Sequence, residues 1–452
     1  MQHDLTGLSL SSRQPGVAGA LDALCHAYVR NGIELPVRLK ALIDTDPDYG
    51  FAHTLRAAFT LAGSRQADAP VVAEALQKAR ALACAGNERE RAHLAAVQAY
   101  AGGDPLLAVR RWADICAHWP TDVFAYRFHH FVAFWLGRPE AMLALARQSL
   151  PHWRHEWPVY GPLLACQAFA HEECGLFLAA ENYGRRAVEL DPGEPWGAHA
   201  VAHVIEMQQR HHEGIVWLDS LSANWHDRNN LRHHLWWHLA LYHFELGDDA
   251  RVLELYDRGF RDRGSPLTQA VPDLYIDQQN AVSMLVRLEL QGIDVGDRWH
   301  ELGELALARI GDCTNLFSVP HYLLALLATG RKTEAGAMAE AVRAFAEGGG
   351  AGADRVGADQ RQSAREALVP VCEAILDRDR GDFDSACDHL RAALGGAFRL
   401  GGSHAQQDLF GQLAADCALR ADRQDLAALL ATRLAGRYGW SLAGRRGYRV
   451  LA

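Results

Sequence analysis

Apolar and polar positions along the chain follow helical spacing, and no stretch of useful length alternates as a β-strand would. Segments rich in Ala, Leu, Arg and Glu, which favour helix, are separated by glycines and prolines. Gly175 occupies one such break, between two helical segments, and Pro192 ends the second of them. Glycine turns the chain there, and proline cannot continue a helix. The pattern therefore predicts pairs of short helices joined by tight turns.

The spacing within these pairs repeats. Two segments share the same offsets: Gly175, Phe177, Ala180 and Ala187 in the first, and Gly381, Phe383, Ala386 and Ala393 in the second. Gly330, Gly137 and Gly247 stand at similar turns. These offsets are typical of tetratricopeptide repeats, in which small residues allow two helices to cross closely.

The repeats predict an all-α fold, a tetratricopeptide-like superhelix of stacked helix pairs (an α-solenoid). Helical repeats are predicted for residues 1–346, a Gly/Ala-rich loop for 347–362, and a continuation of the same array for 363–452. A chain of 452 residues is too long for one compact core, which agrees with an elongated array.

Charge and cysteine content narrow the function classes. The net charge of −10 argues against nucleic acid as a partner, since such a surface repels phosphate backbones. The nine cysteines show no paired spacing, so reduced thiols and a cytoplasmic location are expected. No secretory signal and no apolar stretch of about 18 residues is present, so no membrane association is expected.

Several sequence blocks go beyond a generic repeat. They are Arg89-Glu90-Arg91-Ala92-His93, His199 to Met207, His234 to Leu241, Arg287-Leu288-Glu289-Leu290, and Gly401 to Gln406. In this order they resemble the tetratricopeptide repeat protein 38 family over nearly the whole chain. The resemblance implies a helical-repeat fold in a cytosolic protein and brings no particular activity. The residues that match its blocks are His93, His199, His203, Glu206, His234, Trp237, His238, Arg287, Ser403 and Gln406.

The central region is rich in histidine. Of 23 histidines, 15 lie between His118 and His243. His199 and His203 are four residues apart and therefore share one helix face, which Glu206 joins three residues later. His234 and His238 form a second pair with the same spacing. Because His199 and His203 fall at repeat positions that are normally apolar, we expect them to lie between helices.

Three interpretations of this cluster remain open. The first is a buried hydrogen-bonded network that fixes packing. The second is a metal site, in which His199, His203, Glu206 and His238 bind Zn²⁺ or Fe²⁺, although the spacing is not that of an HExxH motif. The third is an acid/base site. Its catalytic candidates are His199, His203, Glu206, His234 and His238.

Further candidates for ligand binding are Trp237, His321, Ser403 and Gln406. Gly401-Gly402-Ser403-His404-Ala405 resembles a nucleophile elbow but lacks its last glycine and a preceding strand. We therefore expect a helix start capped by Ser403, whose free N–H groups could meet an anion. The sequence leaves open whether this segment approaches the central histidines.

Two functions follow from these patterns. The first is a non-catalytic binding module that holds a protein, a peptide or a small molecule in a concave groove. The alternative is an enzyme or small-molecule receptor built on a buried, metal-dependent His/Glu site.

Overall fold

The computed structural model describes residues 2–349 and 357–451. These residues form helices and two isolated bridges but no strand, which confirms the all-α fold class. The helices, numbered α1 to α24 in chain order, are Val17–Val29, Leu35–Thr45, Gly50–Ala62, Ala69–Ala81, Glu88–Ala101, Pro105–His118, Val123–Trp135, Pro139–Ser149, Tyr160–Glu173, Phe177–Leu190, Pro195–Met207, His211–Leu221, Leu231–Leu246, Asp249–Leu255, Pro266–Ala270, Tyr275–Leu290, Trp299–Leu307, Val319–Ala328, Lys332–Glu347, Ala358–Ser363, Val369–Arg380, Phe383–Leu394, His404–Arg420 and Gln424–Tyr438.

The Gly/Ala-rich segment predicted at 347–362 lies in part outside the described residues, at 350–356. On its two sides, α19 ends at Glu347 and α20 begins at Ala358.

The predicted glycine turns are confirmed. Gly175 joins α9 to α10 with φ 73°, and Gly381 joins α21 to α22 with φ 82°. These left-handed conformations are readily adopted by glycine and cost other residues free energy. The remaining glycines singled out by spacing also have positive φ between consecutive helices: Gly137, Gly247 and Gly330.

The repeated alanines lie where two helices meet. Ala180 and Ala187 on α10 and Ala386 and Ala393 on α22 are all at most 1% exposed. Helix α10 packs on α9, and α22 packs on α21. A larger side chain at these positions would force the paired helices apart, so the small residues fix their close approach.

The chain divides into two compact units. The first comprises residues 1–201, 223–231 and 355–357, and the second comprises residues 202–222, 232–354 and 358–452. The border passes through α11, between Val201 and Ala202.

The first unit has a continuous hydrophobic core over α1 to α9. A buried ionic cluster, formed by Arg89, His93 and Asp122, lies within it. Asp122 accepts hydrogen bonds from Arg89 Nη1 at 2.8 Å and from the backbone N–H of Ala125 at 2.8 Å. Its other polar neighbour, His93 Nε2, lies 3.0 Å away. Every charge in this cluster therefore has a partner of opposite sign, as buried charges require.

The second unit is organised around α16, which packs against α18 and α23. Hydrogen bonds also join α16 to α13, and Tyr242 on α13 donates to the carbonyl of Ala202 on α11 at 2.7 Å. Within α16, the polar run Asp277 to Asn280 is at most 1% exposed. A buried polar stretch in the middle of a unit must find its partners on neighbouring helices.

The nine cysteines are free thiols, and six of them are buried: Cys25, Cys116, Cys166, Cys372, Cys387 and Cys417. Burial raises the pKa of each of these thiols. None of the described helices combines the length and the apolar composition needed to cross a bilayer.

Candidate metal centre

The second unit brings together three of the histidines singled out by spacing. Helix α11 carries His203 and Glu206, which are three residues apart and face the same direction. Helix α13 carries His234 and His238, one turn apart. All four side chains are buried, with exposed fractions between 0 and 4%. The sequence therefore placed these polar groups correctly at contacts between helices.

The three imidazole rings contact one another. The ring centroids of His203 and His238 are 4.5 Å apart, and those of His234 and His238 are 4.7 Å apart. One ring nitrogen from each histidine lies within 4.8 Å of the others. Nitrogens bound at about 2 Å to one zinc ion lie up to about 4 Å apart. Small side-chain movements would therefore bring all three nitrogens onto a single ion.

Hydrogen bonds orient two of the rings. His234 Nδ1 lies 2.8 Å from Asn280 Oδ1, which can only accept, so Nδ1 carries the proton and Nε2 keeps its lone pair. His238 Nδ1 lies 3.2 Å from Glu206 Oε2. Histidines that ligate metals characteristically use their second nitrogen in this way, on a carbonyl or a carboxylate.

Burial keeps two of the imidazoles, those of His203 and His234, neutral. It lowers the pKa of His234 to about 4, an effect that the Asn280 hydrogen bond partly opposes. The pKa of His203 falls well below its ordinary value because of burial and the nearby His234 and His404. Neutral imidazole is the form that binds a metal ion, so no proton needs to leave these rings near neutral pH.

Glu206 behaves differently from an exposed glutamate. Burial raises its pKa to about 8, with Arg445 and Arg287 opposing the shift and Asp408 adding to it. Its carboxyl group faces His238 Nδ1, so Glu206 is placed to orient that ring.

Trp237 forms one wall of the cluster. Its indole stacks on His234 with centroids 5.1 Å apart and meets the edge of His238 at 4.9 Å. The guanidinium of Arg287 also lies over the Trp237 ring, 5.8 Å from its centroid. Trp237 therefore links the imidazoles to a buried cation.

The other candidates for ligand binding have structural partners. Ser403 caps α23 in a capping box with Gln406, which confirms the predicted helix start. Gln406 also donates to Gln279 on α16 at 3.1 Å, and Gln279 donates to Ser318 at 2.7 Å. The start of α23 thus approaches the helix that carries Asn280.

His321 has contacts of its own. Its Nδ1 is 2.9 Å from the carbonyl of Phe317, one turn earlier, and its ring packs near Phe317 and Phe410. Burial lowers the pKa of His321 to about 3, so the ring is neutral.

His199 belongs to the first unit. It is 2% exposed, and its ring stacks on Trp196 at 4.7 Å and lies 5.2 Å from Phe169. Its position between helices agrees with the repeat alignment, and its role as a ligand stays a prediction.

Two contributors to the site were not singled out as site residues by the sequence, namely Asn280 and Arg287. Arg287 is part of a sequence block that resembles a known family, but the block assigns it no role. Asn280 belongs to no recognised motif. The available signal was the polar run Asp277-Gln278-Gln279-Asn280 within a helix that is otherwise largely apolar. Such a run predicts a buried polar contact, but local spacing does not identify its partners.

No protein-family model matches the chain.

Proposed function

We propose that the second unit binds one divalent transition-metal ion, Zn²⁺ or Fe²⁺, through His203, His234 and His238, and that the protein is an enzyme or small-molecule receptor that uses this ion. The observation that carries the proposal is the convergence of three buried imidazole nitrogens within 4.8 Å. Imidazole suits both metals.

The partners of the rings support a metal centre over simple packing. Asn280 sets the proton of His234 on Nδ1, and Glu206 faces Nδ1 of His238. The first contact leaves Nε2 of His234 as the ligating atom, and the second occupies Nδ1 of His238. A packing network has no need for three rings that face one another, because each ring could instead bond a separate acceptor.

Three protein ligands would suit a reactive rather than a structural ion. Three protein ligands leave a fourth position open to water or substrate, which is the arrangement of catalytic zinc sites. A bound ion there would polarise an oxygen ligand or lower the pKa of a bound water. Glu206 would hold the ring of His238 in place, and Trp237 would shield the site from bulk water.

Metal binding is tested on the purified full-length chain. Elemental analysis is expected to give about one Zn or Fe per chain, and the chelator-treated protein should bind one Co²⁺ with visible absorption bands. His203→Ala and His238→Ala should lose this stoichiometric binding. His243→Ala is the matched control, because His243 lies on the same helix but pairs with Asp248.

A further variant tests the proposal even if the histidine-to-alanine variants fail to fold. Asn280→Ala removes only the hydrogen bond that orients His234, and it should weaken metal affinity about 10-fold to 100-fold while the fold is kept. A folded wild-type chain that binds none of Zn²⁺, Fe²⁺ and Co²⁺ would overturn the proposal.

We also propose, as the finer form of the all-α assignment, that the helix pairs of each unit are tetratricopeptide-like repeats of the kind found in the tetratricopeptide repeat protein 38 family. The glycine turns and the buried alanines at repeated offsets support this. A cytoplasmic location is supported by the buried thiols. The binding-module function, with a protein or peptide partner and no nucleic acid, remains a prediction from the repeat pattern.

A further inference from the structure

Arg287 is a buried cation without an acidic partner. Its side chain is 1% exposed, and in the described part of the chain no Asp or Glu oxygen pairs with its guanidinium. Its hydrogen bonds go to two backbone carbonyls, from Nη1 to Ser283 at 3.1 Å and from Nη2 to Ala405 at 3.0 Å. These bonds use two of five N–H donors.

Another buried arginine of the same unit shows the usual solution. Arg445, 2% exposed, lies between Glu245 at 2.8 Å and Asp408 at 3.0 Å. A buried charge without such compensation is costly and is rarely retained. Arg287 therefore lacks the ion pair that Arg445 has, although Asp408 and Glu206 favour its charge electrostatically without pairing with it.

Further donors accompany Arg287. The indole Nε1 of Trp237 and the amide Nδ2 of Asn280 are buried and have no hydrogen-bond acceptor, although both residues are at most 1% exposed. Trp237 lies under the guanidinium and against His234, and Asn280 bonds His234. Two unsatisfied donors thus belong to residues that contact His234 and, in the case of Trp237, also the guanidinium of Arg287, and each needs an acceptor.

We propose that Arg287 anchors the carboxylate of a small organic acid, whose other end reaches the metal centre. A carboxylate supplies acceptor oxygens only and fits a guanidinium with two parallel hydrogen bonds. One guanidinium also balances one carboxylate, whereas a phosphate monoester carries nearly two negative charges near neutral pH. This inference rests on the proposed function for the role of the metal, but the anion site stands on Arg287 itself.

The experiment measures anion binding with and without metal. Acetate, succinate, glutarate and inorganic phosphate are titrated into the Co²⁺-loaded and the metal-free full-length protein. Visible absorption reports events at the metal, and calorimetry reports binding in both forms. A dicarboxylate is expected to bind and to change the Co²⁺ spectrum, with weaker binding of acetate and phosphate.

Arg287→Gln should weaken dicarboxylate binding about 100-fold while the Co²⁺ stoichiometry is unchanged. Arg287→Lys, which keeps the charge, should retain part of the affinity. Arg298→Gln is the matched control, because Arg298 lies in the same unit, pairs with Asp257 and lies nearer the surface.

The outcomes separate this inference from the proposed function. Co²⁺ binding with carboxylate affinity unchanged in Arg287→Gln overturns the anion site and leaves the metal centre intact. Carboxylate binding that depends on Arg287 in a protein that takes up no metal supports the anion site and overturns the metal centre. Arg287-dependent binding that favours phosphate, or no binding of any probe to the wild type, overturns the carboxylate assignment.

Discussion

The two units bury similar residue types in opposite ways. In the first unit, Asp122 neutralises Arg89 and contacts His93, and it also caps α7. In the second unit, three imidazoles face one another, and Glu206 Oε2 lies 3.2 Å from Nδ1 of His238. Ionic pairing compensates the buried charge of Arg89 in the first cluster, whereas the second cluster brings ring nitrogens of three histidines close together.

The pKa values of Asp122 and Glu206 shift in opposite directions in the two clusters. Burial by itself would raise the pKa of Asp122, but His93 and Arg89 hold it well below its usual range. Burial raises the pKa of Glu206 to about 8, because Arg445 and Arg287 only partly compensate. A charged carboxylate therefore stabilises the first unit, and a charged Glu206 destabilises the metal-free second unit.

The largest effect is expected from Asp122→Ala. It leaves Arg89 buried without its partner and removes the cap of α7, so the free energy of unfolding should fall by about 3–5 kcal/mol. Urea unfolding followed by circular dichroism measures this. Asp104→Ala is the control, since Asp104 caps α6 through Leu107 and should cost about 1 kcal/mol. Equal losses in the two variants would contradict a stabilising ion pair.

A smaller effect on the free energy of unfolding is expected at Glu206 in the metal-free protein. Its pH dependence should have the opposite sign to that of Asp122. Its folded pKa of about 8 exceeds its ordinary value of 4.5, so the folded state holds a proton that the unfolded state releases between these values. Stability should therefore fall as pH rises through this window, and Glu206→Gln should remove the fall. The free energy of unfolding of Glu206→Gln, relative to that of the wild type, should rise by roughly a few kcal/mol between pH 5 and pH 9.

The control for this pH dependence is Asp122→Asn. The folded pKa of Asp122 lies below its ordinary value of 3.8, so its contribution is present above that pH and is lost as the pH falls further. The penalty of Asp122→Asn should thus shrink in acid, whereas the benefit of Glu206→Gln should grow in base. Parallel pH profiles for the two variants would remove the distinction between the clusters.

The smallest effects concern the helix starts beside each cluster. Asn87 with Glu90 and Ser403 with Gln406 form capping boxes at α5 and α23. Asn87→Ala and Ser403→Ala should each cost about 1 kcal/mol of unfolding free energy. Ser220→Ala, on an exposed face of α12, should change it by less than about 0.5 kcal/mol. A loss at Ser403 of several kcal/mol would mean that its cap supports the metal centre.

Local features of the fold were predictable from sequence because they depend on a few neighbouring residues. Gly175 and Gly381 turn the chain with positive φ, and Ser403 starts a helix, as their spacing and chemistry indicated. The pairing of His234 and His238 on one face follows from the helical period alone.

The partners of these groups could not be predicted in the same way. Asn280 meets His234 across 46 positions, and Arg287 meets Ala405 across 118. Such contacts depend on how α16 packs against helices that are distant in sequence, which the period of a helix does not specify.

The sequence by itself determined that the chain is helical, where its helices turn, and that imidazoles occupy contacts between helices. Only the tertiary structure decided that His203, His234 and His238 meet at one point in the second unit, beside a guanidinium without an acidic partner. The physical reason is that backbone conformation follows from local sterics and hydrogen bonding, whereas the pairing of buried polar groups follows from the packing of whole helices.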